Sequence, residues 1–304
     1  MNVVTGPSGP PPIRTFHHAE FPVERLRSIK GDQTVSVCLP ARDEATTVGD
    51  IVRLLVAELV EGGVVDEVVV VDDHSTDRTA AVAAAAGARV VAAEEILVEH
   101  GEGHGKGEVL WKSLHEARGD IVVWCDADIR QFDTRFVRGV LGPMLEDPSV
   151  CFVKGHYRRP EQDREGGGRV TELVARPLLS MFFPELCGIH QPLSGEYGGR
   201  RAVLEQVPFV CGYGVDVGLL IDLSRRFGLD GLAQVDLDVR HHRNRPLVEL
   251  SPQATAVAQT ILQRAQPGIV DDTVLLRGLA STTPVEFAER PPLVEVESYL
   301  ARTA

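Results

Sequence analysis

Short runs of apolar residues alternate with segments of helical periodicity along the first half of the chain. The apolar runs predict buried strands at residues 35–40, 67–72, 88–92 and 121–125. The spacing of apolar positions between them predicts helices at 46–60, 76–86 and 108–117. Because strands alternate with helices, the pattern favours βαβ units with right-handed crossovers, and hence a largely parallel sheet.

The second half of the chain is less regular. It predicts strands at 151–154 and 235–240, and helices at 170–183, 215–227 and 251–265. Pro177 lies inside the first of these helices, where its ring and its missing N–H predict a break or kink. We expect the proline-bearing C-terminal tail either to be poorly ordered or to make subunit contacts.

Composition and charge narrow the partners of the chain. It has 304 residues, with 31 lysines and arginines against 44 aspartates and glutamates, which gives a net charge of −13. A broad nucleic-acid footprint needs a basic excess, so no nucleic-acid partner is predicted. No run approaches about 18 consecutive apolar residues, so no integral membrane segment is predicted. The five cysteines contain no CxxC pair, and we interpret them as free thiols in a reducing cytoplasm.

Polar residues follow three of the predicted strands, at the sheet edge where ligands of such folds bind. Asp126 and Asp128 come after the fourth predicted strand, two positions apart. Their carboxylates can point toward a divalent cation and the diphosphate that it neutralises, and such hard oxygen ligands suit Mg²⁺ or Mn²⁺. An isolated pair of this kind is more often a capped turn.

The other two strand ends also allow a structural explanation. Asp72 and Asp73 close the second strand, and a carboxylate there can bind a ribose or base, while Ser75 or Thr76 caps the next helix. Residues 40–44, Pro-Ala-Arg-Asp-Glu, can be explained simply as the N-terminal cap of the next helix, without a role in binding. In combination, however, the patterns P-A-x-x-E, D-D-x-S-T-D and D-x-D look like a nucleotide-sugar glycosyltransferase of the GT-A fold.

Further segments carry polar or glycine-rich motifs. Residues 105–108, Gly-Lys-Gly-Glu, permit a close approach through which Lys106 reaches a nucleotide or phosphate, although a solvated lysine in a flexible loop is the plainer explanation. Residues 166–177 join a glycine loop to a helix whose first turn holds Arg169 and Thr171, a good site for a phosphorylated acceptor. The segments 191–197 and 212–216 are turn-rich with polar tips, and 240–245 is rich in histidine and arginine.

These segments together resemble the actinobacterial glucosyl-3-phosphoglycerate synthases of glycosyltransferase family 81, over about residues 34 to 250. The resemblance implies an α/β GT-A fold with a mixed, mostly parallel central sheet flanked by helices. It also implies retaining transfer of glucose from a nucleotide donor, UDP-glucose favoured, to 3-phosphoglycerate, with Mg²⁺ or Mn²⁺ as cofactor. A homodimer, partly held by the C-terminal region, is implied as well.

The resemblance also assigns roles to residues. It places the nucleotide sugar on Pro40, Ala41, Arg42, Glu44, Asp73, Lys106, Asp126 and Ala127. It places the metal on Asp128 and His242, and 3-phosphoglycerate on Gly168, Arg169, Thr171 and Asn244. Tyr213 and Asp216 would face the donor sugar, so that Asp128, Tyr213 and Asp216 form the candidate catalytic set.

Two positions depart from the mycobacterial pattern and affect the choice of donor. Asp73 stands where that pattern has serine, and Asp216 stands where it has glutamate. Some relatives use GDP-mannose and make mannosyl-3-phosphoglycerate, which is the first alternative. The sequence identifies no carboxylate nucleophile, so we hypothesise front-face attack by the acceptor hydroxyl with help from the donor phosphate.

Three other functions share part of the pattern. A polyprenyl-phosphate sugar transferase shares the first three motifs but predicts a membrane-associated tail. A catalytically silent GT-A domain would have lost the D-x-D or the basic motif, and both are present. A sugar nucleotidyltransferase would carry a glycine-rich N-terminal phosphate loop.

The predicted organisation of the chain has four parts. We expect a flexible lead at 1–20, a nucleotide-sugar-binding half at 21–130, an acceptor-binding half of the same domain at 131–265, and a tail at 266–304 that is a candidate for dimer contacts.

Overall fold

The computed structural model describes residues 12–161, 164–165, 168–241, 246–269, 273–277 and 281–303. Its strands are β1 (Arg14–His17), β2 (Val35–Ala41), β3 (Glu67–Asp72), β4 (Arg89–Ala92), β5 (Ile121–Trp124), β6 (Phe152–Arg158), β7 (Pro160–Glu161), β8 (Arg164–Glu165), β9 (Tyr197–Arg200), β10 (Phe209–Val210), β11 (Leu232–Val239), β12 (Thr273–Arg277), β13 (Ser281–Val285) and β14 (Glu289–Arg290). Its α-helices are α1 (Val23–Ile29), α2 (Val48–Leu55), α3 (Thr79–Ala85), α4 (Lys106–Glu116), α5 (Arg135–Glu146), α6 (Arg176–Phe182), α7 (Arg201–Leu204), α8 (Val215–Phe227), α9 (Leu247–Ala265) and α10 (Glu297–Thr303).

One mixed sheet organises the molecule. Its eight strands run in the order β1-β11-β6-β9-β5-β2-β3-β4. Every neighbouring pair is parallel except the two that involve β9, which is antiparallel to both β5 and β6. The predicted α/β class with a mixed, mostly parallel sheet is therefore confirmed. Strand β9, from the second half of the chain, lies between β6 and β5, so both halves contribute to one sheet. The division of the chain at residue 130 stays a prediction.

The two faces of the sheet are buried under separate layers of helices. Alternate residues of a strand point to opposite faces, so Val68 and Val70 of β3 belong to one hydrophobic cluster while Val69 and Val71 belong to the other. Helices α2, α3 and α5 contact the sheet or each other on the first side, and α4 and α8 lie on the second. Burial on both faces explains why these strands are continuous apolar runs in the sequence.

The first strand begins before residue 20, earlier along the chain than the sequence predicts. β1 pairs in parallel with β11, a 3₁₀ turn follows at His18–Glu20, and Arg14 contacts Asp147 with its Nη1 atom 2.5 Å from Oδ2. The prediction of a flexible lead is therefore wrong for residues 14–20, because four residues suffice to add an edge strand. Residues 1–11 lie outside the described ranges.

The described part of the C-terminal tail also packs against the core. β14 pairs with β10, the indole of Trp111 donates to the carbonyl of Pro291 at 2.9 Å, and Leu293 is buried. Arg290 of β14 reaches the fully buried Glu108 of α4 with its Nε atom 2.5 Å from Oε2. The described tail segment 281–303 therefore packs against both predicted halves of the chain, contrary to the expectation of a poorly ordered tail.

Two of the predicted helices are modified near their predicted limits. The helix expected at 46–60 is α2 followed by a π-helical turn at Val56–Val60. The helix expected at 170–183 is a π-helical turn at Thr171–Ala175 that continues into α6, with Pro177 in the first turn of α6, where its missing N–H costs least. The helical segment runs through Pro177 without the predicted break, and the change from π-helical to α-helical geometry falls just before this residue. Within the described ranges, no helix combines the length and apolar character needed to cross a bilayer.

Candidate active site

The carboxyl ends of β2, β3 and β5 meet at one edge of the sheet and open into a cleft. Backbone and side-chain hydrogen bonds fix their positions: the Asp73 amide donates to the Ala41 carbonyl at 2.8 Å, and the Thr47 hydroxyl donates to the Ala127 carbonyl at 2.7 Å. The cleft has a volume of about 680 Å³. Its position agrees with the rule that ligands bind beyond the carboxyl ends of parallel strands.

The residues that the sequence assigned to the site share this cleft. Its lining includes Pro40, Ala41, Arg42, Glu44, Asp73, Lys106, Asp126, Ala127, Asp128, Gly168, Arg169, Thr171, Tyr213 and Asp216. The two remaining assigned residues, His242 and Asn244, lie outside the described residues. The predicted nucleotide set and the described members of the predicted acceptor set therefore face the same space.

An aspartate that the sequence did not single out braces the loops after β2 and β3. Asp43 adopts a left-handed conformation with φ of 55°, and its Oδ1 accepts from the amide of Thr76 at 2.7 Å and from the amide of Asp77 at 3.3 Å. Its own amide donates to the Ser75 hydroxyl at 3.0 Å. Strained backbone persists where surrounding contacts hold it, so this brace fixes the rim that carries Arg42 and Asp73.

The glycine-rich loop brings Lys106 into the cleft through close packing. A Cβ atom on Gly107 would lie 1.7 Å from the Val210 carbonyl oxygen, and Gly105 has φ of +96°. Lys106 is the first residue of α4, and its Nζ lies 3.5 Å from Asp126 Oδ1 and 3.2 Å from Asp216 Oδ1. The lysine is thus no solvated loop residue. Burial alone would lower the pKa of Lys106, but Asp126 and Asp216 outweigh it and raise that pKa.

A single buried guanidinium binds the D-x-D aspartates. Arg240 follows β11, and its Nη2 atom lies 3.0 Å from Asp126 Oδ2, 2.9 Å from Asp128 Oδ1 and 3.4 Å from Glu196 Oε1. Its Nη1 donates to the Tyr157 hydroxyl at 2.9 Å. Only 6% of the Arg240 side chain is exposed, so these contacts are hardly screened by solvent.

The two aspartates of the D-x-D motif differ in their surroundings. Asp126 has Lys106 near one carboxylate oxygen and Arg240 near the other; burial would raise its pKa, but these cations lower it to about 2. Half of the Asp128 side chain is exposed on the cleft wall. Asp128 therefore presents hard carboxylate oxygen to the cleft and fits a Mg²⁺ or Mn²⁺ ion better than Asp126 does.

Glycine at position 195 makes this arrangement sterically possible. A Cβ atom there would lie 2.1 Å from Asp126 Oδ2. The next residue, Glu196, is fully buried, and burial raises the pKa of its carboxyl, opposed by Arg240. The segment 191–197 thus contributes a glycine that allows close packing against Asp126 and a buried carboxyl group, that of Glu196.

Asp216 lies over a second buried lysine. It lies in the first turn of α8, and Lys154 Nζ lies 3.4 Å from its carbonyl oxygen and 4.0 Å from its Oδ1. The same ammonium lies 3.9 Å from the centroid of the Tyr197 ring, a cation–π contact. Asp216 therefore has two lysines, Lys106 and Lys154, on its carboxylate.

The described members of the predicted acceptor set also line the cleft. Gly168 has φ of +72°, and its carbonyl accepts from the Glu172 amide at 2.8 Å, which begins the helical segment. Thr171 is buried, and Arg169 lines the cleft beside Arg159. Guanidinium and hydroxyl groups at a chain turn suit a phosphate or carboxylate group.

Several residues of this site were not identified by sequence reasoning. Lys154, Glu196 and Arg159 were not singled out, and Arg240 was noted only as part of a basic segment. The one available signal for Lys154 was a charged residue in an apolar strand, Cys-Phe-Val-Lys, because a buried lysine needs a reason.

The Arg240 contacts predict a large effect on stability. Removing one partner of a buried ion cluster leaves its carboxylates uncompensated, so Arg240→Ala should lower the free energy of unfolding by roughly 3–5 kcal/mol. Adding Glu196→Gln should restore part of the loss. Urea unfolding measures both, and the matched control is Arg158→Ala, whose side chain is mostly exposed. Equal effects of Arg158→Ala and Arg240→Ala would contradict the assignment.

The buried Lys154 predicts a pH dependence of stability. Burial lowers its pKa from 10.5 to about 7, and Asp216 opposes that shift. Between these values the unfolded chain binds a proton that the native protein lacks, so the free energy of unfolding rises with pH. From about pH 7.5 to about pH 9, this group should add roughly 2 kcal/mol in the wild type and nothing in Lys154→Met. Urea unfolding of both proteins measures the difference. The same change in the free energy of unfolding in wild type and in Lys154→Met would contradict this prediction.

Comparison with known proteins places this cleft in a family. Residues 36–213 match the family described as Glycosyl transferase family 2. The glucosyl-3-phosphoglycerate synthase of Mycolicibacterium smegmatis is 48% identical over 92% of this chain and 95% of its own length. The protein of that name from Petrotoga mobilis is 40% identical over 94% of this chain and 95% of its own length.

Solved structures agree with these relatives. Glucosyl-3-phosphoglycerate synthase from Mycobacterium tuberculosis, in complex with Mn²⁺, UDP-glucose and phosphoglyceric acid, is 45% identical with a TM-score of 0.85, over 94% of this chain and 99% of that one. Mannosyl-3-phosphoglycerate synthase from Rubrobacter xylanophilus is 40% identical with a TM-score of 0.84, over 93% and 97%. The GT-A fold and the family resemblance predicted from the sequence are confirmed: the chain belongs to the glucosyl-3-phosphoglycerate synthase family, within the family 2 glycosyltransferases.

Proposed function

We propose that this chain is a metal-dependent, retaining glycosyltransferase that moves glucose from UDP-glucose to 3-phosphoglycerate and forms glucosyl-3-phosphoglycerate. The observation that carries the proposal is that one cleft joins the predicted nucleotide residues to the predicted acceptor residues. The relatives that bear the matching name cover nearly the whole chain, and one solved relative holds both UDP-glucose and phosphoglyceric acid.

On the donor side, the rim residues Arg42, Glu44 and Asp73 would contact the nucleoside, and Lys106 would neutralise phosphate oxygens. The Asp43 brace holds the backbone of this rim in one conformation, which lowers the ordering cost of binding. Pro40, Ala41 and Ala127 supply close-fitting walls of the same part of the cleft.

Asp128 and, by resemblance, His242 would hold the Mg²⁺ or Mn²⁺ ion. When bound, such an ion offsets the negative charge that builds on the leaving diphosphate. Asp126 would keep its contacts with Lys106 and Arg240, so its carboxylate positions those two cations beside the diphosphate rather than binding the ion itself.

On the acceptor side, Gly168, Arg169 and Thr171 would bind the charged groups of 3-phosphoglycerate, joined by Asn244. The phosphate and carboxylate of this acceptor need cationic and hydroxyl partners, and this wall supplies both types. The negative charge of the whole protein does not prevent this, because the local wall is basic.

Tyr213 and Asp216 would face the donor sugar and orient it. Lys106 lies 3.2 Å from Asp216 Oδ1, and a carboxylate held in an ion pair is a poor nucleophile. This pairing supports front-face attack by the acceptor hydroxyl over a covalent intermediate on Asp216. A glycosyl-enzyme trapped on Asp216 would contradict that mechanism.

One observation favours a second candidate, transfer of mannose from GDP-mannose. Asp73 is a buried carboxylate at the nucleoside rim, where the mycobacterial pattern has serine. Guanine presents more hydrogen-bond donors than uracil, and a carboxylate accepts from them. The mannosyl-3-phosphoglycerate synthase of Rubrobacter xylanophilus shares this chain's fold at 40% identity. The homodimer stays a prediction from the resemblance, and the cytoplasmic location stays a prediction from the cysteines.

A donor-by-acceptor assay tests the proposed function. The purified chain should convert UDP-glucose and 3-phosphoglycerate in the presence of Mg²⁺ or Mn²⁺. Asp128→Ala should lower kcat/KM by about 100-fold or more, since it removes a metal ligand that acts in the transition state. The control Asp50→Ala, an exposed aspartate of α2, should leave it unchanged.

The outcomes of this assay separate the candidates. A clear preference for GDP-mannose would replace the donor while keeping the acceptor. No transfer to 3-phosphoglycerate from UDP-glucose, GDP-glucose or GDP-mannose would contradict the proposed function altogether.

A further inference from the structure

A second cluster of potential metal ligands lies at the nucleoside end of the cleft. Asp73 and His74 follow β3, and His104 lies in the glycine-rich loop before α4. One potential ligand atom from each of the three residues lies within 4.8 Å of the others. The rings of His74 and His104 have their centroids 4.8 Å apart. We propose that these residues form a binding site for Zn²⁺ or a similar imidazole-seeking ion, whose occupancy excludes the nucleotide.

The donor set decides which ion the site prefers. Two imidazoles and one carboxylate suit Zn²⁺ and its borderline-soft neighbours, whereas Mg²⁺ prefers oxygen ligands throughout. By resemblance, the catalytic site sets one imidazole, that of His242, beside carboxylate oxygen, whereas the second cluster offers two imidazoles to one carboxylate. The two sites therefore differ in their preferred metals, and a catalytic Mg²⁺ would leave the imidazole site open.

Glu94 orients the imidazole of His74 for this role. His74 Nδ1 lies 3.0 Å from Asp73 Oδ1, and its Nε2 lies 3.4 Å from Glu94 Oε2. If the Nε2–H donates to Glu94, the lone pair of Nδ1 points to the side of Asp73, where the ion would bind. A carboxylate that holds the second ring nitrogen is the usual partner of a metal-binding histidine.

Arg42 is the positively charged side chain next to Asp73 that would repel an incoming metal ion. Its Nη1 lies 3.9 Å from Asp73 Oδ2, and more than half of its side chain is exposed. Such a long contact at an exposed arginine is weak, so the guanidinium can turn away without a large cost. Asp73 Oδ1, on the His74 side, remains the oxygen best placed for the ion.

The position of the cluster gives it a regulatory consequence. Asp73 and His104 both line the cleft, Asp73 at the rim assigned to the nucleoside. An ion held by both residues would occupy that part of the cleft and remove Asp73 from donor recognition. Zn²⁺ is therefore expected to compete with the donor, and this part of the inference rests on the proposed function.

Calorimetric titration of Zn²⁺ into the full chain, in buffer with saturating Mg²⁺, tests the site. Wild type should bind Zn²⁺ at one site whose affinity falls by about tenfold or more in His74→Ala and in His104→Ala. His18→Ala is the matched control, because His17, His18 and Asp238 form another histidine-carboxylate group, none of whose members lines the cleft. Unchanged Zn²⁺ affinity in both cleft variants would overturn the proposal.

Adding UDP to the same titration tests the competition. Saturating UDP should weaken the Zn²⁺ binding that depends on His74 and His104. If the protein is shown to hold UDP and still binds Zn²⁺ with unaltered affinity, the proposal that Zn²⁺ excludes the nucleotide is overturned. If the protein binds no UDP, the proposed function fails instead, and the titrations of the histidine variants still decide the zinc site.

Discussion

The buried guanidinium of Arg240 is the interaction on which the site depends. Three carboxylates, those of Asp126, Asp128 and Glu196, approach its Nη2 atom within 3.4 Å. Without that cation, the converging strand ends would bring uncompensated negative charges together in a poorly solvated space. Lys106 repeats the pattern between Asp126 and Asp216. Positive and negative side chains therefore alternate in fixed positions in the cleft, which is what a site for two anionic substrates and a cation requires.

Fixed charges of this kind lower the cost of reorganisation during the reaction. Groups that are already held in place need not be ordered when charge moves to the leaving diphosphate. The rim is fixed as well, because Asp43 ties the loop after β2 to the loop after β3. The tail strengthens the other side, since Arg290 pairs with Glu108 in the helix that begins at Lys106. Remote parts of the chain thereby hold the reacting groups in position.

Sequence reasoning succeeded where a local pattern fully determines the structure. The apolar runs at 35–40, 67–72 and 121–125 are strands, and the helix at 215–227 has the predicted limits. The three polar strand ends meet because parallel strands present their carboxyl ends together. All of the assigned residues that the structure describes line one cleft, since each lies in a motif at such an edge or in the loops beside it.

The parts that were missed depend on contacts between distant segments. Helix α5 was not predicted because it contains Gly139, Gly142 and Pro143, which usually disfavour helix. In the fold these glycines leave room: a Cβ at Gly142 would lie 2.1 Å from the Phe21 ring. The edge strand β1 and the partners of Lys154 likewise depend on residues far away in the sequence. Tertiary packing overrides local propensity at these positions.

A crystal structure with Mn²⁺, UDP-glucose and 3-phosphoglycerate would show whether one charged cleft holds both substrates. We expect an anomalous Mn²⁺ peak at Asp128, Asp126 still bound to Arg240 and Lys106, and the phosphoglycerate against Arg169 and Thr171. A metal peak away from Asp128, or phosphoglycerate bound outside this cleft, would contradict it.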